Sequence, residues 1–496
     1  MRSPFRIASL VLLLLLFGVN VFRAATQAIT HDEALTYSWF VSQPWDVVFH
    51  KYDANHHVLF TIVCKWGVSL FGATEWTMRL PTLAACGLFF WALFRLCEML
   101  FGAGWLLLLS ISAVTLNPLV LDFLSAARGY GMALAFYLTA VYLLLRFLAE
   151  RENRYARRWK LCWIGLVLAA SVCSNLTYLV PITAAILITL GMHWLDLRNA
   201  KGSAASGVFV TELSVEDAAR YLVTPFLLVS WLVLIFPLSA ASADHFYYGG
   251  HSWKEAAESL VIFSFLGWPA YNLLPNTTWL REASYGGMAL TMAGVAVLAV
   301  LALSRWKRLE LAERGLVFVA GIAVMSLGAI ASGFYLAGVV LPIDRTAIYW
   351  VLLLTLCGLL ILRFVPGPRW ISWALAVPML VVVAQYTLEF RTTFYAAWMF
   401  HRHCDQIVAY MQNDRARPAG RQVVVGGSWE MAAPINFYRE ARKLTWLAEM
   451  QRSSELQAAD YWTFDVQQRD EVQKRGLKIV WSDPLSGTVL AVPLVR

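Results

Sequence analysis

Thr30-His31-Asp32-Glu33-Ala34-Leu35-Thr36-Tyr37 follows closely on an apolar run that extends from about Phe5 to Val21. Thr30 and Glu33 have the spacing of a capping box, so a short helix is expected to open here and run to about Val41. Two adjacent carboxylates and a histidine therefore stand where a first membrane helix has just ended. Such a position faces water while staying close to lipid headgroups, which suits chemistry on a lipid-borne substrate. Composition decides whether the preceding run is a span.

The chain has 496 residues, of which 59% are hydrophobic and 15% charged, with 22 Trp and 28 Phe. That is the usage of a polytopic membrane protein. The net charge of +8 does not indicate nucleic acid, because Lys and Arg gather in short clusters between apolar runs, where they set orientation in the bilayer. Cys64, Cys86, Cys97, Cys162, Cys173 and Cys357 lie in apolar stretches and Cys404 in a polar one. No disulfide framework or Cys/His metal spacing results. The N-terminus, Met1-Arg2-Ser3-Pro4-Phe5-Arg6 and its apolar run, reads as an uncleaved signal anchor, since many spans follow and no clear small-residue cleavage site is present.

Apolar runs predict eleven spans, at about 5–24, 79–98, 104–121, 130–148, 161–179, 180–195, 221–240, 286–304, 315–338, 346–364 and 370–388. Arg2 and Arg6 hold the N-terminus inside. Counting alternately then brings Arg151 to Arg158, Arg198 with Lys201, Arg305 to Arg308 and the Arg363 to Arg369 turn inside as well. The outer face receives the 25–78 loop, the Ser125 to Tyr130 turn, a loop near 241–285 and the Leu341-Pro342-Ile343-Asp344-Arg345 turn. Within the first loop, Pro44 can start a second short helix. His57, Thr61, Lys65 and Ser69 make one polar stripe on a segment too short to cross, so His56 to Phe71 should lie in the interface. The multi-span domain is thus 1–388. Residues 389–496 have soluble composition and read as a small α/β domain outside the membrane, with strands at 422–427, 460–464 and 478–481 and a helix from Trp429 to Arg439. Asn175-Leu176-Thr177 and Asn276-Thr277-Thr278 are formal glycosylation sequons.

Asp32 and Glu33 either cap a helix or act on substrate. His31 is a base, a metal ligand or a solvated loop residue, the last being the plainest reading. Arg128 and Arg345 adjoin apolar spans on the outer side, against the orientation preference, and their natural partner is an anion such as phosphate. Arg79, Lys51, His56, His57 and Lys65 could add positive charge, with Tyr130 in the same turn as Arg128. Asp53 and the Asp244-His245 pair read as ordinary loop residues.

His31-Asp32-Glu33-Ala34, Asn55-His56-His57-Val58-Leu59, Leu70 to Pro81 and Ala127-Arg128-Gly129-Tyr130 resemble, in order and spacing, the C-type membrane glycosyltransferases. That group includes protein O-mannosyltransferases and the aminoarabinose transferases of lipid A. The resemblance covers about 25–150 most clearly. It implies transfer of a sugar from a polyprenyl-phosphate carrier to a lipid, glycan or protein acceptor on the outer face, usually with inversion. It also implies a catalytic role for Asp32 and Glu33 and importance for Arg79. The chain departs from the group at His57-Val58, where relatives often have two prolines, and at Ala126, where many are acidic.

The chemistry agrees. Phosphate leaves without protonation, so one carboxylate acting as general base on the acceptor is sufficient. Glycoside hydrolysis calls for two separated carboxyls, which adjacent Asp32 and Glu33 do not offer. Charge growing on the phosphate needs fixed cations, for which Arg128, Arg345, Arg79 and Lys51 are available. A divalent cation held by Asp32 is the one cofactor left open, without a convincing ligand set. A flippase of lipid-linked saccharides, or a non-catalytic scaffold of the same fold, are the rival readings. The first would want charges near mid-membrane, whereas here they gather at span ends.

Overall fold

Long apolar runs become long helices, because in lipid every backbone N–H and C=O must find a partner within the segment. The computed structural model describes residues 3–150, 153–201, 213–265, 277–452 and 458–494. Among these, nine helices are long and apolar enough to cross a membrane: Pro4–Thr26, Glu75–Phe101, Gly129–Ala149, Leu176–Asn199, Val215–Ser239, Glu282–Leu303, Leu311–Ala337, Asp344–Phe364 and Trp370–Leu388. The chain is an integral membrane protein.

Two of the eleven expected spans fall short. The segment expected at 104–121 is broken: an eleven-residue helix, Trp105–Thr115, stops before Asn117, whose side chain caps a new helix at Pro118–Phe123. Proline at the first helical position supplies no N–H to continue the earlier helix, so the run cannot cross as one piece. The other is Arg154–Ser174, which carries Arg154, Arg157, Arg158 and Lys160 in its first two turns. It packs against Gly129–Ala149 and Val215–Ser239. The break between it and the next helix is real and sits at Asn175, whose Oδ1 accepts from Thr177 N at 2.9 Å. Arg151, Glu152 and Asn276 lie outside the described residues.

The loop at 25–78 folds largely as its sequence suggests. The His31–Thr36 helix has the capping box, with Thr30 N donating to Glu33 Oε2 at 2.8 Å and Glu33 N to Thr30 Oγ1 at 3.3 Å. It runs on as a wider turn through Tyr37–Val41. Pro44 caps the Trp45–His50 helix, one position before where it was expected to sit. Val58–Phe71 is the short amphipathic helix, with Trp66, Leu70 and Phe71 exposed and Lys65 donating to the carbonyls of Val41 and Gln43.

Beyond Leu388 the chain forms a four-stranded sheet, β1 (Val425–Gly427), β2 (Tyr461–Phe464), β3 (Leu477–Ser482) and β4 (Val489–Pro493), in the order β1-β2-β4-β3. β1 and β2 are parallel and the other pairs antiparallel. β4 was not foreseen, and β1 is shorter than expected. The crossover helix Trp429–Ala441 docks on the His31–Thr36 helix, with Phe437 edge-on to Tyr37 at 5.0 Å and Tyr438 OH accepting from Ile29 N at 2.9 Å. Cys404, expected in a polar setting, is fully buried against Met431 in the contact between the Cys404–Asn413 helix and this one.

Candidate active site

Glu33 and Asp32 are neighbours in sequence but have different surroundings. Glu33 points into the protein, with none of its surface exposed. Its Oε1 accepts from Arg79 Nε at 2.9 Å and from Ala127 N at 2.5 Å, and its Oε2 from Arg79 Nη2 at 2.7 Å and from Thr30 N at 2.8 Å. Burial alone would raise its pKa. The Arg79 charge and these hydrogen bonds outweigh that and hold it below the ordinary carboxylate value. The carboxylate is saturated by partners within the chain.

Arg79 is saturated as well. Its remaining N–H groups donate to the carbonyls of Ala24 at 3.2 Å, Gln27 at 2.6 Å and Ala28 at 2.9 Å. These are carbonyls at the end of the first span, so the ion pair ties that end to the acidic helix and to the second span. The sequence puts Arg79 among the cations for phosphate. With five donors used inside the chain and no exposed surface, it has none to offer.

Asp32 lies one residue earlier and so faces another side of the short helix, with 13% of its side chain exposed. Its Oδ2 lies 3.3 Å from Arg345 Nη1 and 3.7 Å from Arg128 Nη2, within ion-pair range, although neither makes an aligned hydrogen bond to it. Burial pushes its pKa up, but Arg345 and then Arg128 outweigh this, so it stays below the usual value. It is ionised at neutral pH.

Arg128 is held by the acidic helix and by the Asn55 loop. Its Nη1 donates to Asp32 O at 3.2 Å and Thr36 Oγ1 at 3.0 Å, its Nη2 donates to Asn55 Oδ1 at 2.5 Å, and its guanidinium lies 5.6 Å from the Tyr130 ring centre. Arg345 stacks over Tyr248 at 4.6 Å. Asp344 before it has a left-handed φ of 34°, accepts from Tyr248 OH and is anchored through its own N–H to Ser259 Oγ at 2.8 Å. Nε of both arginines is buried without a hydrogen-bond partner. Two cations thus flank one partly open carboxylate.

The remaining candidates divide. His57 meets the Tyr130 ring edge-on at 4.6 Å, and burial, followed by the Arg128 charge, keeps its pKa well below the ordinary value. His56 stacks on Phe40 at 4.0 Å, its Nδ1 pairs with Lys51 O at 3.2 Å, and burial lowers it to about 4. Nε2 of each is buried without a partner. Both rings are neutral at pH 7 and so add no charge there. Lys51 is exposed, over the rings of Trp39 at 5.6 Å and Phe40 at 5.9 Å, on the rim. Asp244 and His245, expected in plain loop, lie in the short helical turn Ala243–Phe246, with His245 Nδ1 accepting from Ser242 N at 3.0 Å.

His31 is buried, against the plain reading of a solvated loop residue. Its Nδ1 pairs with Glu430 O at 2.7 Å, and its ring stacks on His401 at 5.9 Å and meets Trp429 edge-on at 5.2 Å. His401, Trp429, Tyr248 and Asn55 are the site neighbours that sequence reasoning missed. The first two come from a region about 370 to 400 residues away in sequence, beyond any local spacing signal. Asn55 stood in a quoted motif and could have been found there.

A divalent cation at Asp32 does not fit these surroundings. Two guanidinium groups already face the carboxylate, His31 has spent Nδ1 on a backbone carbonyl, and among the described residues no three His, Cys, Asp or Glu side chains converge as a ligand set.

No protein-family model and no curated protein matches the chain. Among solved structures it is similar to ArnT from Cupriavidus metallidurans bound to undecaprenyl phosphate, at 13% identity and a TM-score of 0.43, covering 99% of this chain and 98% of that one. It is also similar to the Archaeoglobus fulgidus oligosaccharyltransferase in complex with Zn and sulfate, at 11% identity and a TM-score of 0.43, covering 97% and 74%. A third is AglB from Archaeoglobus fulgidus with an inhibitory peptide and a dolichol-phosphate, at 9% identity and a TM-score of 0.43, covering 98% and 74%. At these identities and TM-scores the likeness carries no argument, and the functional reading rests on the side chains above.

Proposed function

We propose that the protein is an inverting glycosyltransferase that moves a sugar from a polyprenyl-phosphate carrier to an acceptor at the extracytoplasmic face of the plasma membrane. The observation that carries this reading is the ionised, partly open Asp32 carboxylate between the guanidinium groups of Arg128 and Arg345. A carboxylate beside two fixed cations suits base catalysis of a displacement whose leaving group is phosphate. In the step, Asp32 takes the proton from the acceptor hydroxyl or amine as its heteroatom attacks the anomeric carbon. The C1–O bond to phosphate breaks, and the electron pair leaves on the phosphate oxygen.

Arg128 and Arg345 meet that growing charge, and being fixed in advance they reorganise little as it forms. Tyr248 and Asp344 hold Arg345, while Thr36 and Asn55 hold Arg128. Glu33 acts through Arg79 as the carboxylate that supports Asp32, fixing the helix on which it stands. His57 and Tyr130 line the side of Arg128. In this topology the N-terminus is cytoplasmic, and 389–496 is an extracytoplasmic domain whose helix from Trp429 caps the acidic stretch. The spans hold the polyprenyl tail.

The test is sugar transfer in membranes lacking the native protein, supplied with polyprenyl-phosphate sugars and complemented with wild type, Arg128→Gln or Arg345→Gln at matched expression. Loss of one charge-assisted contact to phosphate should lower transfer about tenfold or more. Wild-type rates in both variants would remove the phosphate role.

A further inference from the structure

Beside the Asp32 site, two tryptophans and two cations form a cluster that the transfer chemistry does not use. Arg452 lies over the ring of Trp429 at 5.2 Å and over that of Trp39 at 5.5 Å. Lys51 lies over the Trp39 ring at 5.6 Å. Trp429 is 41% exposed, and Arg452 and Lys51 are exposed as well. Among the described residues neither cation is ion-paired with a carboxylate.

The cluster adjoins the reactive carboxylate: Trp429 meets the edge of His31, the residue before Asp32. It also joins the two parts of the chain, since Trp39 comes from the first outer loop and Trp429 and Arg452 from the C-terminal region. Stacking on indole rings fixes the plane of a guanidinium while leaving its N–H edge free. That edge matches two oxygens of a phosphate or carboxylate at once. Indole faces also suit the C–H face of a pyranose, as an apolar surface beside polar groups.

We propose that Trp39, Trp429, Arg452 and Lys51 form an acceptor subsite for a saccharide carrying an anionic group, phosphate or carboxylate. It rests on the transferase reading for the word acceptor, but its ligand chemistry stands on the cluster alone. Arg452 grips the anion by its N–H edge, Lys51 adds a second charge from the loop side, and the tryptophans receive the sugar face. An acceptor seated so lies beside the helix that bears Asp32.

The test uses the full chain in phosphatidylcholine nanodiscs and reads saturation transfer by NMR to three probes: glucose 6-phosphate, glucuronate and glucose. Wild type should saturate one or both anionic sugars and glucose much less, the phosphate and carboxylate arms naming the anion. Arg452→Gln should weaken that binding about tenfold, with Arg452→Lys between the two. Arg345→Gln should lower it less than Arg452→Gln does, which separates the subsite from the donor phosphate site. Equal signals from Arg452→Gln and wild type, or loss in Arg345→Gln alone, overturn the proposal. So does a wild-type signal abolished when the nanodisc contains phosphatidylglycerol, because the cluster is then a headgroup anchor. Asp32→Asn keeps the binding signal whatever it does to transfer, so failure of the transferase reading and failure of the subsite are read separately.

Discussion

Replacing Glu33 by Gln changes one oxygen for an NH2 group in the most enclosed ion pair of the site. Both partners have fully buried side chains, and the carboxylate receives four hydrogen bonds, two of them from Arg79. Glutamine has one carbonyl oxygen for these donors, and its NH2 must face an Arg79 N–H together with either the Ala127 or the Thr30 N–H, donor against donor. The Arg79 charge is then buried without compensation. Breaking a buried pair from one side costs about 3–5 kcal/mol.

Urea unfolding of the full chain in nanodiscs, followed by tryptophan fluorescence, measures this loss beside Asp32→Asn. Asp32 has no aligned hydrogen bond at Oδ2 and is partly open, so its replacement should cost far less stability. The double variant Glu33→Leu/Arg79→Leu should be less destabilised than either single charge removal, because no lone charge remains. If Glu33→Gln unfolds at the wild-type midpoint while losing transfer as Asp32→Asn does, Glu33 acts on substrate and the division of labour drawn here is wrong.

The pH dependence follows from the same groups. Asp32 has its pKa lowered from 3.8, so it is fully the base above that value, and transfer should fall only as pH drops through the lower folded value. His56, near 4, and His57 are neutral at pH 7, so kcat/KM should show no limb between about pH 5.5 and 7.5 from histidine. Glu33 has its pKa lowered from 4.5, so its stabilisation is complete above the unfolded value and lost as pH falls through the folded one, which acid unfolding of wild type against Glu33→Leu/Arg79→Leu can read. Gly129→Ala should destabilise the chain and lower transfer, since an added Cβ would meet Ser174 O at 2.3 Å and His57 Cβ at 2.5 Å; thermal unfolding in nanodiscs checks it. Tyr248→Phe removes the hydroxyl that Asp344 accepts while keeping the ring under Arg345, so it should raise KM for the lipid-linked donor several-fold with folding intact.

Local signals carried much of this from the sequence. Thr30 and Glu33 are three residues apart, so their capping box is written in the chain, and the hydropathy of the long runs marks nine helices directly. The break at Asn117-Pro118 was also readable in residues, but the apolar count across it hid the two short helices. What no local pattern could give is which partner each charge meets. Glu33 pairs with Arg79 across 46 positions, and Asp32 with Arg345 across the whole multi-span region. His31 seemed solvated because the groups that bury it, His401 and Trp429, arrive from the C-terminal region. Adjacent residues on a short helix point to different sides, so an acidic pair that reads as one unit becomes a base and an anchor.

The most direct measurement is the rate of polyprenyl phosphate release and acceptor labelling by Asp32→Asn against wild type, at matched expression in membranes lacking the native protein. Asparagine keeps the shape and removes the base. The account predicts that wild type releases carrier and labels acceptor, while Asp32→Asn, folded as judged by urea midpoint, falls by at least about a hundredfold. Transfer by Asp32→Asn at the wild-type rate would contradict it and leave Asp32 as a helix-end carboxylate.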